Sequence, residues 1–255
     1  MTQSVLGIMQ ARVSSSRLYG KVMMDIEGKP MLERQVERVL RSEKLDDLVV
    51  ATGDDSENDL IEELCGSMKV RCFRGAPDDV LERFYECSIV THPRHVARIT
   101  CDCPLIDPNI IDQVINFHLN GDFDYSSNVH PPTWPDGMDI EVMRFNSLVE
   151  AHKEALMPSE REHVTPFFYN NPNRYRIGNL AYHRDLSFHR LTVDEPEDLE
   201  KIRYIYKYLH PRNNNFDLSS IINLLEADDS LVELNQKFTR NEGFQRSLSR
   251  DLDAS

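Results

Sequence analysis

Over the first ~120 residues, short apolar runs alternate with amphipathic stretches, which restricts the chain to βα units on a mostly parallel sheet. Val5 to Met9 predicts a buried first strand. Met31, Leu32, Val36, Val39 and Leu40 then recur at helical spacing behind Gly28-Lys29-Pro30. Leu48 to Ala51 predicts a second strand and Val70 to Phe73 a third, with Leu60, Ile61 and Leu64 lining the helix between them. Val80, Leu81, Phe84, Tyr85 and Ile89 mark the next helix, for which Asp78 and Asp79 are candidate caps. Val96 to Thr100 predicts a fourth strand, ending at Cys101-Asp102-Cys103-Pro104, and a helix follows from Asn109 to Asn120.

The second half is less regular. Asp136-Gly137 predicts a turn before a strand over Met138 to Met143. Ser159-Glu160-Arg161-Glu162 has the spacing of a capping box opening a helix through Phe168. Arg174 to Leu180 and Phe188 to Leu191 are candidate strands, and Pro196 suits the first turn of a helix. The run from His210 to Asn215 breaks the pattern and predicts a boundary between a 1–210 domain and a 211–255 tail. That tail is expected to be helical at Leu218, Ile221, Ile222 and Leu225, and loosely ordered over its last ~25 polar residues. The fold class expected is α/β: a mostly parallel, Rossmann-like sheet flanked by helices, with a small helical C-terminal appendage.

A formal net charge of −14 over 255 residues argues against a nucleic-acid partner, which needs clustered Lys and Arg. It also makes any local basic cluster informative. No apolar stretch is long enough to span a bilayer, and no leader pattern precedes the first strand. Cysteines 65, 72, 87, 101 and 103 are too few and irregular for a disulfide framework, and Cys101-Asp102-Cys103 lacks the second pair that zinc wants. Reduced thiols in a cytoplasmic protein are expected. The basic cluster lies directly after the first strand: from Gln10 to Lys21, Arg12, Arg17 and Lys21 accompany Ser14, Ser15 and Ser16. A loop leaving a parallel strand at its carboxyl end is where α/β sheets bind ligands, and such side chains suit a phosphate. A solvated basic turn would read the same way. The spacing is not that of a Walker A loop.

Gln10-Ala11-Arg12, Ser16-Arg17-Leu18 and Gly20-Lys21-Val22 resemble the Q-A-R-x-x-S-x-R-L-P-G-K-V loop of the cytidylyltransferase superfamily. The nearest resemblance is to the family named for the spore coat polysaccharide biosynthesis protein SpsF, related to acylneuraminate and KDO cytidylyltransferases. Five further blocks follow the family pattern in order: Gly75 with Asp78 to Phe84, Thr100 to Pro108, Asp136 to Val142, Glu160 to Pro166, and Leu191 to Leu199. Tyr19 stands where proline is usual and Cys101 where glycine is usual. The resemblance implies the nucleotidyltransferase (GT-A type) version of the fold and transfer of a nucleotide from CTP to an acidic sugar or similar small acceptor, in glycan precursor synthesis. It implies that Gln10, Ala11, Arg12, Ser14, Ser16, Arg17 and Lys21 embrace the triphosphate, with Asp79 joining the nucleotide set. Arg12, Arg17, Lys21 and Asp102 would be catalytic, Asp102 and Asp194 would hold Mg²⁺, and the protein would form a homodimer.

Beside that reading, Asp194 suits an N-cap for the helix at Pro196, and Asp107 suits a cap for the helix after Pro108. Asp139 and Glu141 share one strand face and are assigned, with His163, to the acceptor pocket. Salt-bridged carboxylates and a packed histidine would look identical in sequence. His92, His95, His183 and His189 show no ligand spacing. Two rivals remain: a glycosyltransferase, which would want a DxD motif that Asp102-Cys103-Pro104 does not supply, and a nucleotide- or sugar-binding module without catalysis.

Overall fold

The computed structural model describes residues 4–254. β1 (Val5–Gln10) is an interior strand, third in a seven-stranded sheet. A short hairpin, β2 (Asp25–Ile26) and β3 (Lys29–Pro30), leads into α1 (Met31–Val39). Strands and helices then alternate as β4 (Asp47–Gly53), α2 (Asp59–Met68), β5 (Arg71–Gly75), α3 (Val80–Thr91), β6 (His95–Thr100) and α4 (Pro108–Gly121). β4 and β6 flank β1 and run parallel to it, and β5 lies parallel beyond β4. The chain therefore winds outward from β1 on one side and then crosses to the other. This reversal opens a crevice beyond the carboxyl ends of β1 and β6, the usual ligand position in an open α/β sheet.

The apolar runs are continuous because both faces of the sheet are covered. Val5 and Met9 enter one core, with Val50 of β4 and Ile99 of β6. Leu6 and Ile8 enter the other, with Val49, Ala51 and Val96. The far side of the sheet is built by β7 (Tyr125–Ser127), β8 (Glu141–Arg144) and, after α5 (Phe145–Glu154), α6 (Pro158–His163) and α7 (Pro166–Tyr169), by β9 (Ile177–Asn179). β8 is antiparallel to both β6 and β7, and β7 is parallel to β9. α8 (Pro196–Leu209), α9 (Leu218–Ala227), α10 (Asp229–Glu233) and α11 (Glu242–Ala254) complete the chain.

Several expectations shift for local reasons. The strand at Met138 begins only at Glu141, because the Asn128 side chain takes the Met138 carbonyl at 2.7 Å and the Ile140 N–H at 2.9 Å. Phe188 to Leu191 is not a strand but a single bridge to Asp136, closed by Asp136 N–H to His189 O and Leu191 N–H to Asp136 O. Gly137 makes that crossing possible: its φ is 102°, and a Cβ there would lie 2.6 Å from the Leu191 carbonyl carbon. The helix expected from Ser159 starts at Pro158, and Ser159 donates its N–H to Asp251 instead. It is then broken at Val164, which sits at φ 69° within a three-residue turn, Thr165 N–H to His163 O. A buried β-branched residue in that region is strained, as is common where a site is being shaped.

The expected loose tail is the largest correction. Residues 229–233 and 242–254 form α10 and α11, and α11 packs against α6. The tail's polar residues find partners on the domain, so low hydrophobicity does not leave them unstructured.

At the other end of β6, His95 and His118 are buried, with Nδ1 and Nε2 3.0 Å apart, and His118 Nδ1 lies 2.9 Å from Ser126 Oγ. Burial, then neighbouring positive groups, pushes His95 down to about 4 and His118 down to about 3. The unfolded chain therefore binds more protons between the folded values and ~6.5, so this contribution is complete above ~6.5 and is lost as pH falls towards 4. Other groups titrate in the same window, so the informative quantity is a difference. Between pH 7 and 4.5, urea unfolding of His118→Gln should lose about 2 kcal/mol less stability than the parent protein. Equal losses would contradict the assignment.

Candidate active site

The loop after β1 is folded back on itself. Gly20 N–H reaches Val13 O at 2.9 Å, and the Asn58 side chain accepts from Val13 N–H at 3.0 Å. Gly20, at φ 69°, turns the chain so that Lys21 points back towards the crevice. Lys21 Nζ lies 2.8 Å from Asp194 Oδ1, 3.2 Å from Asp102 Oδ2 and 2.8 Å from the Val193 carbonyl. Arg17 joins the same carboxylate, 2.8 Å from Asp194 Oδ1. Gln10, Ala11, Arg12, Ser14 and Ser16 line the same cleft, and Arg12 is exposed on it.

Asp102 is held by its backbone. Its carbonyl accepts from Val193 N–H at 2.8 Å and from Thr192 Oγ1 at 3.1 Å. The fully buried Gln35 of α1 clamps the two sides of it, donating to Thr100 O at 2.6 Å and accepting from Cys103 N–H at 3.1 Å. Burial raises the Asp102 carboxyl, but the charge of Lys21 and hydrogen bonds from Thr100, Lys21 and Cys103 outweigh it and hold the group at about 2. Cys101 needs no left-handed backbone angle, and its side chain packs into the core. Asp194 is not the helix cap. Glu195 is the N-cap of α8, and Asp198 accepts the Asp194 and Glu195 N–H groups, each at 2.9 Å. This leaves the Asp194 carboxylate turned to the cleft cations. Asp107 does cap α4, accepting from Asn109 N–H at 2.9 Å.

A second wall of the cleft is acidic. Asp136, Asp139 and Glu141 all line it. Burial followed by the nearby Asp139 pushes Asp136 up to about 7, against Arg240 and Arg190. Burial pushes Asp139 up to about 6, although Arg240 lies 2.6 Å from it. Glu141 is paired with Arg98, whose Nε also donates to Gln10 Oε1 at 3.0 Å, so the acidic wall is wired to the end of β1. His163 lines the cleft as well, with Nε2 2.9 Å from Ser247 Oγ. Burial, then Arg98, pushes it down to about 4, so it is neutral at pH 7.

Asp79 is the expected nucleotide residue that the structure does not bring to the cleft. Its carboxylate accepts from Glu82 N–H at 2.9 Å as the cap of α3 and pairs with Arg161. Four residues that shape the site were not singled out in the sequence. Gln35 positions Asp102. Arg190 grips Asp198 with two nitrogens at 2.9 Å and touches Asp194 at 3.2 Å and Asp136 at 3.3 Å. Arg98 offered a signal, a lone cation inside a buried strand, whereas Arg240 lay in a tail without pattern.

The cleft encloses about 650 Å³, within the usual range for a small-molecule site. Residues 6–230 match the family model described as Cytidylyltransferase. The spore coat polysaccharide biosynthesis protein SpsF of Bacillus subtilis is 33% identical over 231 residues, covering 88% of this chain and 95% of that protein. A solved cytidylyltransferase structure from Leptospira borgpetersenii superposes with a TM-score of 0.87 at 28% identity, over 94% of this chain and all of that one. A structure of CMP:2-keto-3-deoxy-manno-octonic acid synthetase complexed with CTP shares the fold, with a TM-score of 0.62 at 19% identity, over 80% of this chain and 98% of that one. The match over most of the chain, together with a basic loop set beside the carboxylates at the end of β6 and the start of α8, places this protein in the cytidylyltransferase family.

Proposed function

We propose that this protein joins the CMP moiety of CTP to an oxygen of a small anionic, hydroxyl-bearing acceptor, releasing pyrophosphate, with Mg²⁺ as cofactor. The observation that carries the reading is Lys21, at the end of the loop of residues 10–21, lying between Asp102 and Asp194. The family supports CTP as the nucleotide, and the SpsF relative supports a role in polysaccharide precursor synthesis.

The donor set fits magnesium. Mg²⁺ usually takes one or two protein carboxylates and completes its shell with phosphate oxygens and water. Asp102 and Asp194 share one cation at 3.2 and 2.8 Å, and no group of three or more potential ligands occurs among the described residues. These two carboxylates would hold the ion, which when bound would offset charge on the phosphates. With phosphate present, Lys21 and Arg17 exchange a carboxylate partner for a phosphate oxygen, and Arg12 adds a third cation from the loop. Asp102 stays ionised at any working pH, since its carboxyl is held at about 2. The acceptor oxygen attacks the α-phosphorus, a bond to it forms, and the bond to the β-phosphate oxygen breaks. Fixed charges and positioning supply most of the acceleration in such transfers. The acidic wall faces the acceptor, where carboxylates can accept hydrogen bonds from hydroxyl groups.

Pyrophosphate release is the direct assay, with CTP, GTP, UTP or ATP set against sugar acids and sugar phosphates. Release is expected with CTP, abolished by EDTA. Asp102→Asn should lower kcat by on the order of 10²–10³, and near-normal turnover in that variant would refute the mechanism. Arg17→Gln should raise the KM for CTP by roughly 10-fold or more, as expected for a lost charge-assisted hydrogen bond. CTP binding without release from any acceptor would favour a binding module instead.

A further inference from the structure

The acceptor side of the cleft is closed by α11, which lies beyond the residues matched by the family model. Its positions 243, 246, 247 and 250 fall at helical spacings of three, four and seven, so they share one face, and all four line the cleft. The helix is anchored on cleft residues. Ser247 Oγ donates to Glu162 Oε2 at 2.8 Å besides meeting His163 at 2.9 Å. Phe244 packs edge-on against the His163 ring, with centroids 5.2 Å apart, and Arg250 pairs with Glu162 at 3.3 Å. Just before the helix, Arg240 ties the segment to Asp139 and to the Trp134 carbonyl.

Arg246 is different. Arg17, Lys21, Arg98 and Arg250 each have a carboxylate partner in or beside the cleft. Arg83 turns its guanidinium to the Ala76 and Pro77 carbonyls. Arg12 and Arg246 are exposed on the cleft, and neither forms an ion pair with a carboxylate among the described residues. Arg12 belongs to the nucleotide loop. Arg246 stands on the wall built by α11, where it forms no ion pair with a carboxylate among the described residues.

We infer that α11 is an acceptor-recognition element and that Arg246 binds the acceptor's anionic group, a carboxylate or a phosphate. This rests on the nucleotidyltransferase reading. The acceptor is thereby oriented between two unlike surfaces: hydroxyl groups towards Asp136, Asp139 and Glu141, and the anionic group towards Arg246. A guanidinium suits either anion because its fork matches two oxygens at once. An acceptor with hydroxyls but no anionic group would leave Arg246 unused, so neutral sugars should be poor substrates.

The test uses the full chain saturated with CTP and titrated by chemical-shift perturbation with inorganic phosphate, and separately with acetate. At least one anion should bind the parent protein in the millimolar range, with phosphate preference indicating a phosphorylated acceptor and acetate preference a sugar acid. Arg246→Gln should weaken that binding about tenfold, with CTP affinity within twofold of the parent. Arg184→Gln removes the same charge from the Glu226 pair at the surface and should leave anion binding unchanged. The inference is overturned if neither anion binds the CTP-loaded protein, or if Arg246→Gln binds as the parent does, or if both variants lose equally. A parent protein that fails to bind CTP at all would remove the reading beneath it, and the inference with it.

Discussion

The structure depends on a buried lysine with two acidic partners. Lys21, Asp102 and Asp194 come from three distant parts of the chain, and no one of them is tolerable alone at that depth. An unpaired charge taken from water costs several kcal/mol, whereas a hydrogen-bonded pair in good geometry can largely offset that cost. Burial lowers the Lys21 pKa, but the Asp102 and Asp194 charges and hydrogen bonds outweigh it, so the group ends raised and stays charged. Deleting either partner leaves the other charge uncompensated, which ties the first loop, the end of β6 and the start of α8 to one arrangement. In the proposed reaction Lys21 turns to phosphate while Asp102 and Asp194 would hold Mg²⁺, so the interaction that fixes the apo site is also the one exchanged when nucleotide enters.

A second tier keeps those carboxylates where they are. Arg190 connects Asp136, Asp194 and Asp198, and Asp198 in turn secures the backbone of residues 194 and 195. Gln35 does the equivalent for Asp102. None of these supports needs to touch a substrate. Their physical role is preorganisation: a carboxylate whose backbone is fixed on both sides does not spend reaction free energy on being ordered. The acidic wall obeys the opposite logic, since burial raises Asp136 and Asp139 into the neutral range and leaves their charge sensitive to what binds.

Legibility in the sequence followed the range of the interaction. The parallel half was readable because a strand buried on both faces writes a continuous apolar run, as Val5 to Met9 and Leu48 to Ala51 do. The nucleotide loop was readable because three cations and three serines sit within twelve residues of an acidic chain. The Asp136-Gly137 turn was readable, but its purpose was not: the glycine is demanded by Leu191, more than fifty positions away. Ser159 resembled a cap but bonds to Asp251, and Asp194 resembled a cap while Glu195 performs that role. Such errors arise because caps and long-range ion pairs recruit the same polar residues.

The tail shows the limit of compositional reasoning most clearly. Few apolar residues and many charges normally mean that a segment cannot offset its own ordering entropy. Here several of the charges have counterparts, as Arg240 meets Asp139, Glu242 lies 3.7 Å from Arg17 and Arg250 meets Glu162, while the uncharged Ser247 meets His163. Exposed pairs contribute little singly, so order must come from several acting together with the Phe244 contact on His163 and Tyr169. A segment held mainly by polar contacts to a substrate cleft is sensitive to whatever fills that cleft. Glu242 touches Arg17, the cation assigned to the triphosphate, so nucleotide binding bears directly on the base of α11. On the proposed reading, that ion pair links the loop assigned to the nucleotide with the helix assigned to the acceptor.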